Sequence, residues 1–203
     1  MERDRRAGRR LRLGLLARAL RGTGPADPDA TAVEDRGEAY SYATIDALAN
    51  GNAHRLRTLG VEPGSVVAVT MRRSADLVVA ILAVAKAGGA FLLADAECPA
   101  ERLRTMLEQA RARVVLTDDL TAGRVAGLGA AAAITAVDRD AVAAGPPITG
   151  VAPGDTAYVV FTSGTTGQPK AIVNTHESLA NLHVAQRRVF QVRPGTGWCS
   201  SCP

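Results

Sequence analysis

The chain has 203 residues, 24 Lys+Arg against 20 Asp+Glu and a formal net charge of +4, enough length for one domain or two small subdomains with a real core. Eight arginines fall within residues 1–21 beside only Glu2 and Asp4, so the basicity belongs to a tail and a nucleic-acid-binding body is excluded. Apolar residues make up 47% but aromatics only 3%, which predicts a core of Ala, Val and Leu, and no apolar run approaches a membrane span.

Residues 1–24 form the basic tail, with Leu11, Leu13, Leu15, Leu16 and Leu20 set among arginines. Arg12 and Arg18 interrupt this run too often for a signal peptide, and a solvated or partner-contacting extension is expected. Pro25 and Pro28 mark the boundary with the ordered region. Val33–Tyr42 reads as a hairpin around Gly37. Ser41 then caps a helix with apolar positions Ile45, Leu48, Ala49, Ala53, Leu56 and Leu59, closed by Gly60.

Pro63-Gly64 is a turn before the strand Val66–Thr70. Ser74 caps an apolar helix, Leu77–Ala87, ended by Gly88-Gly89. Ala90–Ala94 is a second buried strand with Asp95 at its exit, able either to face a ligand or to form the turn. Pro99 opens a helix expected to reach Ala112, and Val114–Thr117 is a third strand. No clear element follows Asp119 until a fourth strand, Ile134–Val137. Gly127-Leu-Gly129 lacks both the third glycine and the context of a dinucleotide fingerprint.

After the loop 145–150 come a strand Tyr158–Thr162, a short strand Ala171–Asn174 and a helix from about Glu177 to Phe190. Apolar strands alternating with amphipathic helices predict an α/β fold, a mostly parallel sheet flanked by helices. His176 and His183, seven residues apart, share a helical face. Without a third ligand there they predict packing or capping rather than a metal.

The most informative stretch is Tyr158-Val-Val-Phe-Thr-Ser-Gly-Thr-Thr-Gly-Gln-Pro-Lys170. A buried strand stops in a run of glycines and hydroxyls, and a lysine follows. Glycines bring backbone N–H groups close to a ligand, hydroxyls add donors, and Lys170 adds positive charge. The combination suits a polyphosphate. It is not the nucleoside-triphosphatase loop, which needs glycine before the lysine and Ser or Thr after it. Here Pro169 and Ala171 stand in those places. Lys170 is one of two lysines, with Lys86, in a chain whose other basic residues are arginine, so codon bias did not supply it.

Three cysteines, Cys98, Cys199 and Cys202, make no disulfide framework, and a reducing cytoplasm is the expected location. Cys199-Ser-Ser-Cys202 has redox spacing but no second ligand pair beside it.

These residues resemble one family, the adenylate-forming (AMP-binding) enzymes, and most closely the adenylation domains of nonribosomal peptide synthetases. Phe161–Lys170 looks like the family's phosphate loop, and His176–Leu182 like the helix start after it. Tyr40–Asn50 resembles the first motif and Gly60–Val69 the strand that follows. Leu82–Phe91, with Asp95 and Pro99–Leu103, resembles the second. The likeness covers about residues 25–198. Ala171 departs from a usual glycine, which predicts a tighter backbone there, and Leu93 and Ala96 replace usual prolines.

The resemblance implies an ATP-dependent ligase that activates a carboxylate, expected to be an amino acid, as an acyl-adenylate for transfer to a pantetheine thiol. ATP with Mg2+ would be used, and a carrier protein is a partner of the complete system. Thr162, Ser163, Gly164, Thr165, Thr166, Gly167 and Lys170 would hold the β- and γ-phosphates. Residues 25–203 would be the N-terminal portion of such a domain. The acyl pocket, the acidic residue for magnesium, the ribose-binding aspartate and the catalytic lysine are all expected beyond it. No catalytic or metal-ligating residue is therefore assigned within the chain, and it is expected not to complete the reaction alone.

Alternatives are a non-catalytic ATP- or partner-binding α/β module, an acyl- or aryl-CoA synthetase fragment, and an unfolded relic. Val192–Thr196 follows the family pattern and Gly197–Pro203 does not. A one-base shift can rewrite that tail as Val-Val-Gln-Leu-Val or Val-Val-Gln-Phe-Val, which predicts a frameshift near Gly197, to be tested on the nucleotide sequence.

Overall fold

The computed structural model describes residues 28–128, 133–162 and 169–189. The tail, most of the phosphate-loop stretch, Cys199, Cys202 and the region of the expected frameshift lie outside these residues. Strands β1 (Thr31–Asp35) and β2 (Glu38–Ser41) form an antiparallel hairpin. Arg36 and Gly37 both have positive φ, 51° and 85°, the backbone that a two-residue turn needs to match strand twist.

Helix α1 (Tyr42–Thr58) starts where expected: Ser41 Oγ accepts from the Thr44 N–H at 3.1 Å. Strand β3 (Val66–Thr70) leads into helix α2 (Ala75–Ala87), capped by Ser74 and ended by Gly88 at φ 90°. Then follow β4 (Ala90–Ala94), α3 (Ala100–Gln109), β5 (Val114–Thr117), α4 (Asp119–Ala126), β6 (Ala133–Ala136), β7 (Thr156–Thr162), β8 (Lys170–Thr175) and α5 (His176–Val189).

The six-stranded sheet has the order β6-β5-β3-β4-β7-β8. Its first five strands run parallel, and β8 pairs antiparallel with β7. Alternate residues point to opposite faces. Val67, Val69, Phe91, Val114 and Leu116 pack into one core with Ala53 and Leu56 of α1 and Ala80, Ala83 and Val84 of α2. Ala68, Leu92, Val115 and Val159 pack into the other with Leu103, Met106 and Leu107 of α3 and Val125 of α4. Strands covered on both faces have no polar alternation to lose, which is why they read as unbroken apolar runs.

Several elements differ from expectation, β7 and α2 by starting two residues early. Helix α4 lies where no element was legible. Asp118 accepts from the Leu120 and Thr121 N–H groups while Thr121 Oγ1 accepts from the Asp118 N–H, a capping box with Thr in place of the usual Glu or Gln. Helix α3 stops at Gln109, short of Ala112, because Arg111 turns to φ 50°. Strand β6 begins one residue earlier than Ile134.

Candidate functional site

The β7–β8 hairpin carries the residues expected to meet phosphate. Its cross-strand pairs run Tyr158↔Asn174, Val160↔Ile172 and finally Thr162↔Lys170. Directly opposed residues share one side of a sheet, so Thr162 and Lys170 face the same way, with Cβ atoms about 5 Å apart. Both are exposed. They are the last ladder pair before the connecting segment, and Ser163, Gly164, Thr165, Thr166 and Gly167 lie within that segment, outside the described residues. The same face holds the half-exposed Val160 and Ile172, an apolar surface beside the cation.

Ala171 pairs with Phe161 in regular β8 and has no positive φ. The structure therefore corrects the expected tightening: at this position an alanine side chain fits an ordinary strand.

The two lysines have opposite fates. Lys170 is exposed, and among the described residues its side chain has no ion pair or hydrogen bond. Lys86 is buried, its side chain only 1% exposed. Its Nζ donates to Asp46 Oδ1 at 2.7 Å, Asn50 Oδ1 at 2.7 Å and the Asp46 carbonyl at 3.0 Å. Sequence reasoning passed over Lys86, although the signal that marked Lys170, a lysine in an arginine-biased chain, applied to it equally. The network ties α1 to α2, and so joins the two upstream motifs in one buried cluster.

Ligands in open α/β sheets usually bind at the carboxyl ends of strands where crossovers change face. Here that point lies at the ends of β3 and β5, because α2 covers one face and α3 and α4 the other. The chain's own carboxylates already fill it. Asp118 receives the Arg72 Nε at 2.9 Å, the Arg72 N–H at 3.2 Å and the first amides of α4. Asp35 Oδ2 receives the Ala75 N–H at the start of α2 at 3.1 Å. Burial alone would raise the Asp118 carboxyl, but hydrogen bonds from Arg72 and Thr121 outweigh it and hold it well below the usual carboxylate range.

Asp95 is a turn former: its Oδ1 accepts from the Glu97 N–H at 2.8 Å and its carbonyl from the Cys98 N–H at 2.9 Å. Cys98 is buried and unpaired, and burial raises its thiol.

His176 opens α5, its N–H donating to the Asp155 carbonyl at 3.0 Å. The residue is 2% exposed, and neither ring nitrogen has a partner among the described residues. His183 Nε2 is likewise buried and unpartnered. No group of three or more candidate metal ligands occurs among the described residues.

Burial lowers the His176 pKa, opposed by the nearby Asp155 carboxylate. With the folded value below the unfolded one near 6.5, the unfolded chain takes up a proton first as pH falls. Stability is therefore full above about pH 6.5 and declines below it. Denaturant titrations at pH 7.5 and 5.5 should show this loss, and His176→Phe should flatten it; an unchanged slope in that variant would remove His176 as the source.

The family model for the AMP-binding enzyme matches residues 21–203. The chain is 42% identical over 160 residues to phosphinothricin tripeptide synthetase PhsC of Streptomyces viridochromogenes, covering 76% of this chain and 15% of that protein. To surfactin synthase subunit 3 of Bacillus subtilis it is 39% identical over 160 residues, covering 77% of this chain and 12% of that one. Among solved structures, the nonribosomal peptide synthetase FmoA3 in its alpha-methyl-L-serine-AMP-bound form superposes with a TM-score of 0.77 at 32% identity, over 89% of this chain and 20% of that one. The chain thus spans well under a quarter of the length of these relatives. With a family model matching nearly its whole length and relatives near 40% identity over three quarters of it, the chain belongs to the AMP-binding enzyme family.

Proposed function

We propose that this chain provides the pyrophosphate-side wall of an ATP site in a ligase that activates a carboxylate, an amino acid, as its acyl-adenylate. The observation that carries this is the exposed Thr162–Lys170 pair at the mouth of the β7–β8 hairpin. The FmoA3 structure holding an aminoacyl-AMP supports the substrate class.

In this reaction a carboxylate oxygen attacks the α-phosphorus of ATP, the bond from that phosphorus to the bridging oxygen breaks, and pyrophosphate leaves with the electron pair. A pantetheine thiol, on a carrier protein, then displaces AMP from the acyl carbon. Negative charge builds on the leaving pyrophosphate, so donors placed there favour the transition state. Lys170 places its ammonium beside the β- and γ-phosphates, Thr162 adds a hydroxyl, and Ser163–Gly167 add amides and hydroxyls. Magnesium, for which no ligand is assigned within this chain, would neutralise part of that charge when bound.

Such donors are worth about 3–4 kcal/mol each where water is excluded. Lys170 is exposed, and in water its contribution is screened. The chain by itself is accordingly a weak ATP binder that does not complete the reaction. A cytoplasmic location and a carrier-protein partner belong to the same proposal. Among the described residues no helix is long and apolar enough to cross a membrane.

Isothermal titration with Mg·ATP tests the proposal. Weak binding is expected, and Lys170→Ala should reduce affinity about 10-fold, the worth of one charge-assisted contact. Binding that ignores this substitution would place the phosphates elsewhere. Pyrophosphate exchange should appear only when the downstream half of a related adenylation domain is supplied. Tight ATP binding with no exchange under any such condition would instead indicate a non-catalytic module.

A further inference from the structure

Helix α1 buries two asparagines, Asn50 and Asn52, which are 1% and 3% exposed. Their side chains hold the long connection between β6 and β7. Asn52 Nδ2 donates to the Asp138 carbonyl at 2.8 Å, and the Asp138 N–H donates to Asn52 Oδ1 at 2.9 Å. One carboxamide thus satisfies both backbone groups of a residue, as a neighbouring strand would.

Further along, Asn50 Nδ2 donates to the Ala143 carbonyl at 3.1 Å, and the Ala143 N–H to the Ala47 carbonyl at 3.2 Å. His54 Nε2 lies 3.0 Å from the Gly145 carbonyl oxygen. Lys86 fixes Asn50 from below through its own bond to Asn50 Oδ1.

The connection then passes α2. Thr149 and Val151 approach Gly88 so closely that a Cβ there would meet Val151 Cγ2 at 3.0 Å and Thr149 Cβ at 3.3 Å. Val151 is buried, and the Ala152 N–H donates to Asp155 Oδ2 at 2.7 Å just before β7 begins. From Asp138 to Asp155 the segment forms no regular element, yet it is fastened at both ends and in the middle. β7 meets β4 through only two register pairs, Phe91↔Tyr158 and Leu92↔Val159, so its placement depends on how its lead-in is held.

We propose that Asn52 is a positioning residue: its two-point clamp on Asp138, extended by Asn50 and His54, sets where β7 starts and therefore where the Thr162–Lys170 hairpin presents its face. The functional consequence rests on the phosphate-binding role proposed above. The clamp itself does not.

The test is amide hydrogen exchange on the full 203-residue chain, read peptide by peptide, for the unsubstituted protein, Asn52→Ala and the milder surface variant His54→Ala. Asn52→Ala removes both hydrogen bonds to Asp138, together with those to the Leu48 carbonyl and from Arg55 within α1, and should speed exchange about 10-fold or more in residues 137–151 and also in 156–162 and 170–175, with 66–70 changed much less. His54→Ala should give the same pattern at lower amplitude, which keeps the test open if Asn52→Ala fails to fold. Faster exchange confined to 137–151 would overturn the proposal, showing fastening without transmission. Equal acceleration in every strand would also overturn it, showing only a general loss of stability.

Mg·ATP titration of the same proteins separates the two claims. If the unsubstituted chain does not bind ATP but the exchange pattern holds, the phosphate role fails and the clamp stands. If the unsubstituted chain binds and Asn52→Ala weakens binding while the exchange of 156–175 is unchanged, the clamp is wrong and the phosphate role stands.

Discussion

Lys86→Met should be among the most destabilising single substitutions in this chain, lowering unfolding free energy by about 3 kcal/mol. The methionine keeps most of the apolar stem, so packing loss is small. What is lost is the partner of a carboxylate and a carboxamide: Asp46 Oδ1 and Asn50 Oδ1 each lose a 2.7 Å bond. Breaking one side of a buried pair leaves the other side desolvated and uncompensated, which costs more than the pair was worth. Asp46 is 34% exposed, so water relieves part of the penalty, and the lower end of the usual range applies.

The double variant Lys86→Met/Asp46→Leu should recover most of the loss, because removing both charges removes the orphaned group as well. Urea unfolding followed by circular dichroism gives the midpoints. A single variant within about 0.5 kcal/mol of the parent would show that water already reaches the site.

The second large effect reverses the usual sign of a substitution. Glycine inside a helix costs about 1 kcal/mol relative to alanine, so from the sequence alone Gly51→Ala in α1 should stabilise. A Cβ at Gly51 would overlap the carbonyl of Ala141 and come within 2.8 Å of the Val142 backbone nitrogen. Both are main-chain atoms of the clamped connection and cannot rotate away. Overpacking of this kind costs about 1–3 kcal/mol, occasionally more, and here the upper part of the range outweighs the propensity gain, for a net loss of about 2 kcal/mol.

Gly123 in α4 is the internal control. Nothing lies within 4 Å of a Cβ built there, so Gly123→Ala should raise stability by about 1 kcal/mol. Opposite shifts in the urea midpoint are the expected result; shifts of the same sign would mean that the connection yields to the new methyl group.

These two sites show where local sequence runs out. Nothing near Gly51 in the chain marks it as different from Gly123. The difference is a backbone about 90 residues away, brought against α1 only by folding. The burial of Asn50 and Asn52 depends on the same distant segment, through their bonds to the Ala143 and Asp138 carbonyls. Helix α4 was missed because Thr121 is a weaker sequence signal than Glu for the third helical position and because Gly123 interrupts the pattern. Its cap is convincing only once Asp118 is seen to bind Arg72 and Thr121 to bind the Thr70 carbonyl.

By itself the sequence determined the α/β class, the boundaries of most elements to within a residue or two, and the family, because apolar runs, caps and glycine turns are local signals and the Phe161–Lys170 signature is contiguous. Tertiary structure alone decided the rest. It set the strand order β6-β5-β3-β4-β7-β8, since periodicity fixes which face a residue takes but not which strand lies beside it. It divided the two lysines into one buried and neutralised by Asp46 and one exposed opposite Thr162, since burial of a charge depends on partners from other elements. It also brought Asp118 and Asp35 against backbone N–H groups at the ends of β3 and β5, since which carboxylate meets which amide depends on contacts between distant elements.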